Sequence, residues 1–146
     1  MWLVTPAIKA DLNKIVEIER ECFSSPWSYQ AFLQELKHNY SYLWVAKDVR
    51  FEIVGFICFW LIYEEAHILN IAVKKAFRGK GIGSLLIKKM ISFVKKRGAK
   101  WIRLEVRVTN KGAISFYEKL GFERVIVRPR YYFDTGEDAL VMELEL

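Results

Sequence analysis

Residues 70–86 constrain this chain more than any other stretch. Asn70-Ile71-Ala72-Val73 is followed by the basic glycine loop Arg78-Gly79-Lys80-Gly81-Ile82-Gly83-Ser84 and then by Leu85-Leu86. The order reads as the end of a strand, a loop and the first turn of a helix. Ile82, Leu85, Leu86, Met90, Phe93 and Val94 continue at helical spacing, and Gly98 stands where a C-terminal cap belongs. The first backbone N–H groups of a helix lack intrahelical partners, and the aligned peptide dipoles make that end positive. Glycine allows close approach of the backbone to a ligand, and Arg78 and Lys80 add charge. The expectation is a phosphate or pyrophosphate site; the plainer alternative is an ordinary glycine-rich strand–helix turn. A Walker loop requires Gly-x-x-x-x-Gly-Lys-Ser/Thr, which is absent. A dinucleotide fingerprint requires Gly-x-Gly-x-x-Gly, and its last position falls on Ser84 from Gly79 and on Leu86 from Gly81. The string that fits is Arg-x-x-Gly-x-Gly, filled by Arg78, Gly81 and Gly83.

At 146 residues, 53% hydrophobic and 27% charged, the chain can build one real core and is too apolar for disorder. A single domain over 1–146 is expected. The longest apolar run, Ile53 to Tyr63, is far short of the roughly 20 residues of a membrane span and reads as a buried strand. No basic segment followed by an apolar one opens the sequence, so no signal peptide and a cytoplasmic location are expected. Cys22 and Cys58 have no zinc-type partner at the usual spacing; free thiols and no metal are expected. The net charge of +6 is uneven. Between Ala66 and Leu104 there is no acidic residue, against Lys74, Lys75, Arg78, Lys80, Lys88, Lys89, Lys95, Lys96, Arg97, Lys100 and Arg103. A one-sign field attracts polyanions: a phosphate-rich nucleotide is one candidate, RNA or the ribosome surface another. For Lys88 to Arg97 the preferred reading is a solvated helix face, with Lys95, Lys96 and Arg97 complementing the negative helix end.

Along the chain, Leu3-Val4-Thr5 reads as a short strand and Ala10 to Cys22 as a helix with Ile15, Val16, Ile18 and Phe23 inward. Ser24-Ser25-Pro26 breaks it, and Ser28 can cap a second helix to about Lys37. Strands are expected at Tyr42 to Ala46, at Ile53 to Leu61 with cover on both faces, and at Ala66 to Val73. Asp48 to Phe51 is a turn without glycine. Trp101 to Val108 alternates, with Ile102, Leu104, Val106 and Val108 on one side and Arg103, Glu105 and Arg107 on the other. Asn110 can cap a short helix ended by Gly121. Phe122 to Val127 is a strand, and Arg130 to Phe133 with Ala139 to Leu146 reads as a hairpin. The order predicts an α/β (α+β) fold: a mixed, largely antiparallel central sheet with helices on both faces.

The loop string Arg78, Gly81, Gly83 and the element order resemble the Gcn5-related N-acetyltransferases (GNAT) over nearly the whole chain. Asn70-Ile71-Ala72-Val73, Leu104-Glu105-Val106-Arg107-Val108-Thr109-Asn110 and Phe116-Tyr117-Glu118-Lys119-Leu120-Gly121-Phe122 are similar to the protein N-terminal acetyltransferases. Within them, Pro26-Trp27-Ser28 is similar to the RimI-type ribosomal-protein-alanine acetyltransferases. Arg130-Tyr131-Tyr132, Gly136-Glu137-Asp138-Ala139 and Met142 are similar both to RimI and to archaeal and eukaryotic α-amine acetyltransferases. The resemblance implies acetyl-CoA as cosubstrate. Ile71, Ala72 and Val73 would offer backbone to the acetyl-pantetheine arm. The loop Arg78, Gly79, Lys80, Gly81, Ile82, Gly83 and Ser84 would hold the pyrophosphate, and Asn110 would contact coenzyme A. Glu105 would be the general base and Tyr117 the general acid. His67 departs from bacterial RimI and lies where archaeal and eukaryotic relatives carry a His or Tyr that helps deprotonate the amine. The division of labour between Glu105 and His67 stays open, as does bacterial or archaeal origin.

Each assignment has a plainer rival. By itself Glu105 reads as a surface carboxylate paired with Arg103 or Arg107. His67 reads equally as a turn or core histidine, and Tyr117 as a packed aromatic whose hydroxyl needs a partner. Asn110 serves as an N-cap in either case. Trp27, Tyr131, Tyr132, Glu137 and Asp138 are expected to wall a peptide groove, against a solvated hairpin tip with core tyrosines. The expected partner is a protein or peptide N-terminus, that of a ribosomal protein, with no membrane and no DNA, on a monomer or weak dimer. The expected reaction is direct transfer in a ternary complex. Acetylation of lysine or a small amine is the alternative within the fold, and a non-catalytic basic RNA- or ribosome-binding module the alternative outside it.

Overall fold

The computed structural model describes residues 1–146. Its elements are β1 (Leu3–Pro6), α1 (Leu12–Cys22), α2 (Tyr29–Lys37), β2 (Ser41–Lys47), β3 (Ile53–Ile62), β4 (Glu65–Val73), α3 (Ile82–Lys96), β5 (Trp101–Arg107), α4 (Lys111–Lys119), β6 (Glu123–Arg128) and β7 (Ala139–Glu145), with short 3-10 turns at Lys9–Asp11 and Lys75–Phe77. The caps fall where their residue types predict. Ser28 accepts from the Ala31 amide at 3.1 Å and Asn110 from the Ala113 amide at 3.2 Å, each satisfying a first-turn N–H that the helix cannot. The strands form one seven-stranded sheet in the order β1-β2-β3-β4-β5-β7-β6. Every neighbouring pair is antiparallel except β4 with β5.

Helices cover both faces. On one, Leu86, Ile87, Met90 and Val94 of α3 and Ile114 and Tyr117 of α4 pack on Ile57, Phe59, Ile102, Leu104 and Met142. On the other, Leu12, Ile15, Val16 and Ile18 of α1 and Phe32 of α2 pack on Val45, Phe56, Cys58 and Ala72. β3 is therefore buried on both sides, as its unbroken apolar run demands. Cys22 and Cys58 are free thiols. Lys88, Lys89, Lys95 and Lys96 are exposed on α3 and make no ion pair, while the Arg97 guanidinium lies 3.7 Å over the Phe93 ring. No helix is long and apolar enough to cross a membrane.

Two irregularities in β4 shape the site. Cys58 of β3 stands opposite Asn70, but Phe59 stands opposite Ile68, so Leu69 is an extra residue in β4. This bulge inverts the alternation: Ala66 and Ile68 join the α3 core, whereas Ala72 joins the α1 core. Secondly, β4 pairs with β5 only where Glu65, Ala66 and His67 meet Trp101, Ile102 and Arg103. Beyond that point the strands part, and β5 stays paired along its length with β7 instead.

The predicted hairpin strand at Arg130 to Phe133 does not form. β7 takes β6 as its antiparallel partner, from Glu123 opposite Glu143 to Arg128 opposite Ala139. Pro129 has no N–H for a ladder, and Arg130 lies in the left-handed region at φ 49, which ends extended backbone. Residues 129–138 instead form a loop closed by Gly136 N–H to Tyr132 O at 2.8 Å and by Arg130 N–H to Asp138 Oδ1 at 2.9 Å.

Gly55 of β3 stands opposite Val73 of β4, close to the β4 backbone. A Cβ there would lie 3.0 Å from the Ala72 carbonyl oxygen and 3.4 Å from Ile82 Cγ2. Because the nearest atom is backbone, the strands themselves must move. Gly55→Ala is expected to cost about 1–3 kcal/mol, read as a lower urea midpoint at unchanged slope; an unchanged midpoint would show that the β3–β4 spacing is not limiting.

Candidate active site

The parting of β4 and β5 opens a cavity of about 1810 Å³, above the roughly 300–1,000 Å³ of a cleft for one small ligand. Residues 68–73 of β4 and 104–107 of β5 form its fork. The α3 loop and α4 line one end, and the α1–α2 loop and residues 128–134 the other.

At the loop end, Gly81 is the N-cap of α3 at φ 84 and Gly79 has φ 78, a backbone shape that favours glycine. Added Cβ atoms at either would meet nothing within 4 Å, so the cradle is open. The first turn of α3 carries no acidic residue. Backbone amides at a positive helix end, set in an open concave loop, fit a pyrophosphate. Arg78 is folded back: Nε donates to Val73 O at 3.3 Å and Nη2 to Cys22 Sγ at 3.1 Å, holding the loop on the end of β4. Ile71, Ala72, Val73, Ile82, Gly83, Ser84 and Asn110 line the cavity, whereas Lys80 does not. Phe116 closes over Gly83, whose Cβ would lie 3.3 Å from the ring.

In the fork stands Glu105. Its expected arginine partners are committed elsewhere. Arg103 donates to Glu143, and Arg107 grips Asp134 at 2.8 and 3.0 Å. Glu105 pairs instead with His67 Nε2 at 2.9 Å and accepts from the Tyr131 hydroxyl at 3.3 Å. The two candidate bases are thus one hydrogen-bonded unit. Glu105 faces the cavity; His67 lies behind it, in a separate smaller cleft with Trp60, Tyr63 and Trp101. Burial pushes the Glu105 carboxyl up, but the His67 hydrogen bond and charge, the Tyr131 hydroxyl and the Arg128 charge outweigh it, and the net shift is downward. Tyr117 is buried between Phe116 and Phe122 and lines the cavity. Burial raises its pKa, so its hydroxyl stays protonated at neutral pH.

Trp27, Tyr131 and Tyr132 line the other end. The Tyr132 hydroxyl is pushed up to about 12, mainly by burial, and its ring lies 4.0 Å under the Arg107 guanidinium. Glu137 and Asp138 are not on the wall. Glu137 accepts from Thr109 Oγ1 at 2.6 Å, and Asp138 closes the loop onto the Arg130 amide; both shape the segment that carries the tyrosines.

Other lining residues escaped the sequence reading. Arg128 acts electrostatically on Glu105. Asp134, its pKa lowered to about 2 by Arg107 and Ser25, accepts from Ser25 Oγ at 2.6 Å and so joins the two loops across the cavity. Glu19, only 1% exposed, binds the Trp27 amide at 2.9 Å and Asn70 Nδ2 at 2.7 Å. One signal for Glu19 was in the sequence: it continues the Leu12, Ile15, Val16 stripe, an acid on an apolar helix face.

Comparison with known proteins agrees with this geometry. The acetyltransferase (GNAT) family model matches residues 12–122. A putative ribosomal protein bS18-alanine N-acetyltransferase of Bacillus subtilis is 38% identical over 90% of this chain and 87% of its own. Among solved structures, the ribosomal-protein-S18-alanine N-acetyltransferase from Escherichia coli superimposes with a TM-score of 0.90 at 30% identity, over 99% of this chain and 94% of that one. Ard1 from Thermoplasma volcanium superimposes with a TM-score of 0.91 at 28% identity, over 99% and 97%.

Because the fold lowers the Glu105 pKa below its usual 4.5, the unfolded chain takes up that proton first on acidification. Glu105 therefore contributes stability above its ordinary pKa, and the contribution is lost as pH falls through the folded value. The Tm gap between wild type and Glu105→Gln is expected to narrow between about pH 6 and about pH 3. A gap constant across that range would show that the His67 and Tyr131 contacts do not favour the charged form.

Proposed function

The chain belongs to the acetyltransferase (GNAT) family and is an acetyl-CoA-dependent N-acetyltransferase, and from that premise we propose that its acceptor is the α-amine of a protein N-terminus, the N-terminal alanine of a ribosomal protein. The observation that carries this reading is Glu105. Its carboxylate faces the fork, kept ionised by His67 and Tyr131, with both neighbouring arginines engaged elsewhere. The likeness in sequence to proteins named for alanine acetylation on bS18 supports the acceptor class.

Acetyl-CoA supplies the activated acyl group. The amides of Gly79, Gly81, Ile82, Gly83 and Ser84 receive its pyrophosphate, and the backbone of Ile71, Ala72 and Val73 is the rim offered to its arm. Asn110 stands at the start of α4 beside the same channel. A peptide α-amine has an unperturbed pKa of about 7.7–8.0, against about 10.4 for lysine, so removing its proton near neutrality costs little and one carboxylate suffices. Glu105 takes that proton, directly or through a water; His67 orients the carboxylate from behind. Tyr117 Oη carries the proton that the departing sulfur needs. Trp27, Tyr131 and Tyr132 flank the entering N-terminus, and transfer is direct. Residues 1–146 act as one domain, since all their strands lie in one sheet; the proposed compartment is the cytoplasm, in keeping with two free thiols.

The direct test is incubation with acetyl-CoA and short peptides that differ at residue one, read by mass spectrometry. Acetylation at the α-amine of an alanine peptide is expected; modification confined to lysine side chains would overturn the acceptor assignment. Glu105→Gln is expected to lower turnover by roughly 10²–10⁴ with acetyl-CoA affinity unchanged, and wild-type turnover would remove Glu105 from the mechanism. Gly81→Glu puts a side chain and a negative charge into the cradle at a positive φ. It is expected to abolish acetyl-CoA binding by calorimetry, and undiminished binding would refute the loop assignment.

A further inference from the structure

Glu19 is the one charged residue buried in this protein, and the reaction outlined above does not use it. Burying a carboxylate is costly unless it is well met, and an apolar residue on the same helix face would serve packing better. Burial indeed pushes the Glu19 carboxyl above its usual range, against the opposing pull of the Trp27 amide and Asn70. What the carboxylate joins is specific. One oxygen accepts from the backbone N–H of Trp27, in the α1–α2 loop; the other accepts from Nδ2 of Asn70, next to the extra residue Leu69 in β4. Three segments distant in sequence meet on one side chain.

Few hydrogen bonds hold the α1–α2 loop; its Trp27 ring also packs on Phe32, with ring centroids 5.1 Å apart, at the edge of the α1 core. The Phe23 amide closes α1 on Glu19 O at 3.0 Å, and the Ser28 cap begins α2. Between them the loop's hydrogen bonds run from Ser25 to Asp134, an exposed contact, and from Trp27 to Glu19, a part-buried one. Asn70 leads directly into Ile71, Ala72 and Val73, the strand segment that rims the acyl channel. A single carboxylate therefore sets the acceptor wall against the donor strand.

We propose that Glu19 is a positioning residue for the acceptor peptide: it holds Trp27 at a fixed distance from the β4 bulge, and so sets the width of the groove that receives the N-terminus. This rests on the acceptor reading given above. Glu19 acts through Trp27 and Asn70 and touches neither reacting group.

The test compares Glu19→Ala with Glu19→Gln. Alanine leaves both donors unmet. Glutamine keeps an oxygen for the Trp27 amide, and its NH2 can donate to the Asn70 side-chain oxygen after that amide turns over. For Glu19→Ala we expect the KM for an alanine-initiated peptide to rise at least tenfold, with kcat within threefold and the acetyl-CoA Kd within twofold of wild type. Deuterium uptake across residues 23–29 should rise in the same variant. Glu19→Gln should recover the peptide KM and the protection to within threefold. If Glu19→Ala does not fold, Glu19→Asp, whose shorter reach serves only one of the two donors, is read by the same quantities. Wild-type KM and protection in the alanine variant would overturn the proposal. A parallel rise in peptide KM and acetyl-CoA Kd would also overturn it, as general loosening. Loss in Glu19→Gln with normal protection would overturn it by assigning the charge to the substrate itself. Should wild-type protein acetylate no peptide, the acceptor reading fails, and the exchange of residues 23–29 still decides whether Glu19 holds the loop.

Discussion

The site exists because β4 stops pairing with β5. A parallel pair of buried strands would ordinarily satisfy its backbone groups along its whole length. Here the ladder ends at His67 and Arg103, and β5 turns wholly to β7. The backbone of residues 68–73 is left facing a cavity rather than a strand. Extra Leu69 then inverts the side-chain order, so that Ile68 packs under α3 while Asn70 and Ala72 turn toward α1. A sheet that simply continued would have no channel through its middle and no backbone to offer a ligand.

Charge is distributed to keep that channel usable. The arginines on either side of Glu105 are drawn away by Glu143 and Asp134. The carboxylate is left to a histidine and a tyrosine, whose contacts favour its ionised form. The same pairing of Arg107 with Asp134 places Tyr132 beneath the guanidinium and lets Ser25 reach across from the opposite loop. Residues 129–138 are irregular in backbone yet held by side chains at several points, the arrangement expected of a binding loop on a rigid scaffold.

Local pattern was enough for much of this. The helix starts at Ser28 and Asn110, the buried run of β3, the alternation of β5 and the open helix start at Gly81 each depend on spacings within a few residues. The expected hairpin at Arg130 failed because strand pairing is a long-range choice: the apolar run Ala139 to Met142 demanded a partner, but Pro129 and Arg130 disqualified the nearest segment and Glu123–Arg128 took the place. Glu137 and Asp138 were misplaced for the same reason, since a loop differs from a hairpin tip in where its carboxylates point.

The sequence by itself determined the family and the open, glycine-bearing helix start at Gly81, because those reside in contiguous strings whose backbone shape is local. Only the tertiary structure decided which of those groups meet. That Glu105 pairs with His67 rather than with its neighbouring arginines, that His67 stands behind it, and that Glu19 spans from α1 to Asn70 and Trp27, all depend on strands and loops brought together across the fold. Spacing along a chain reports which face a side chain leaves from; it carries no information about which distant donor will be there to receive it.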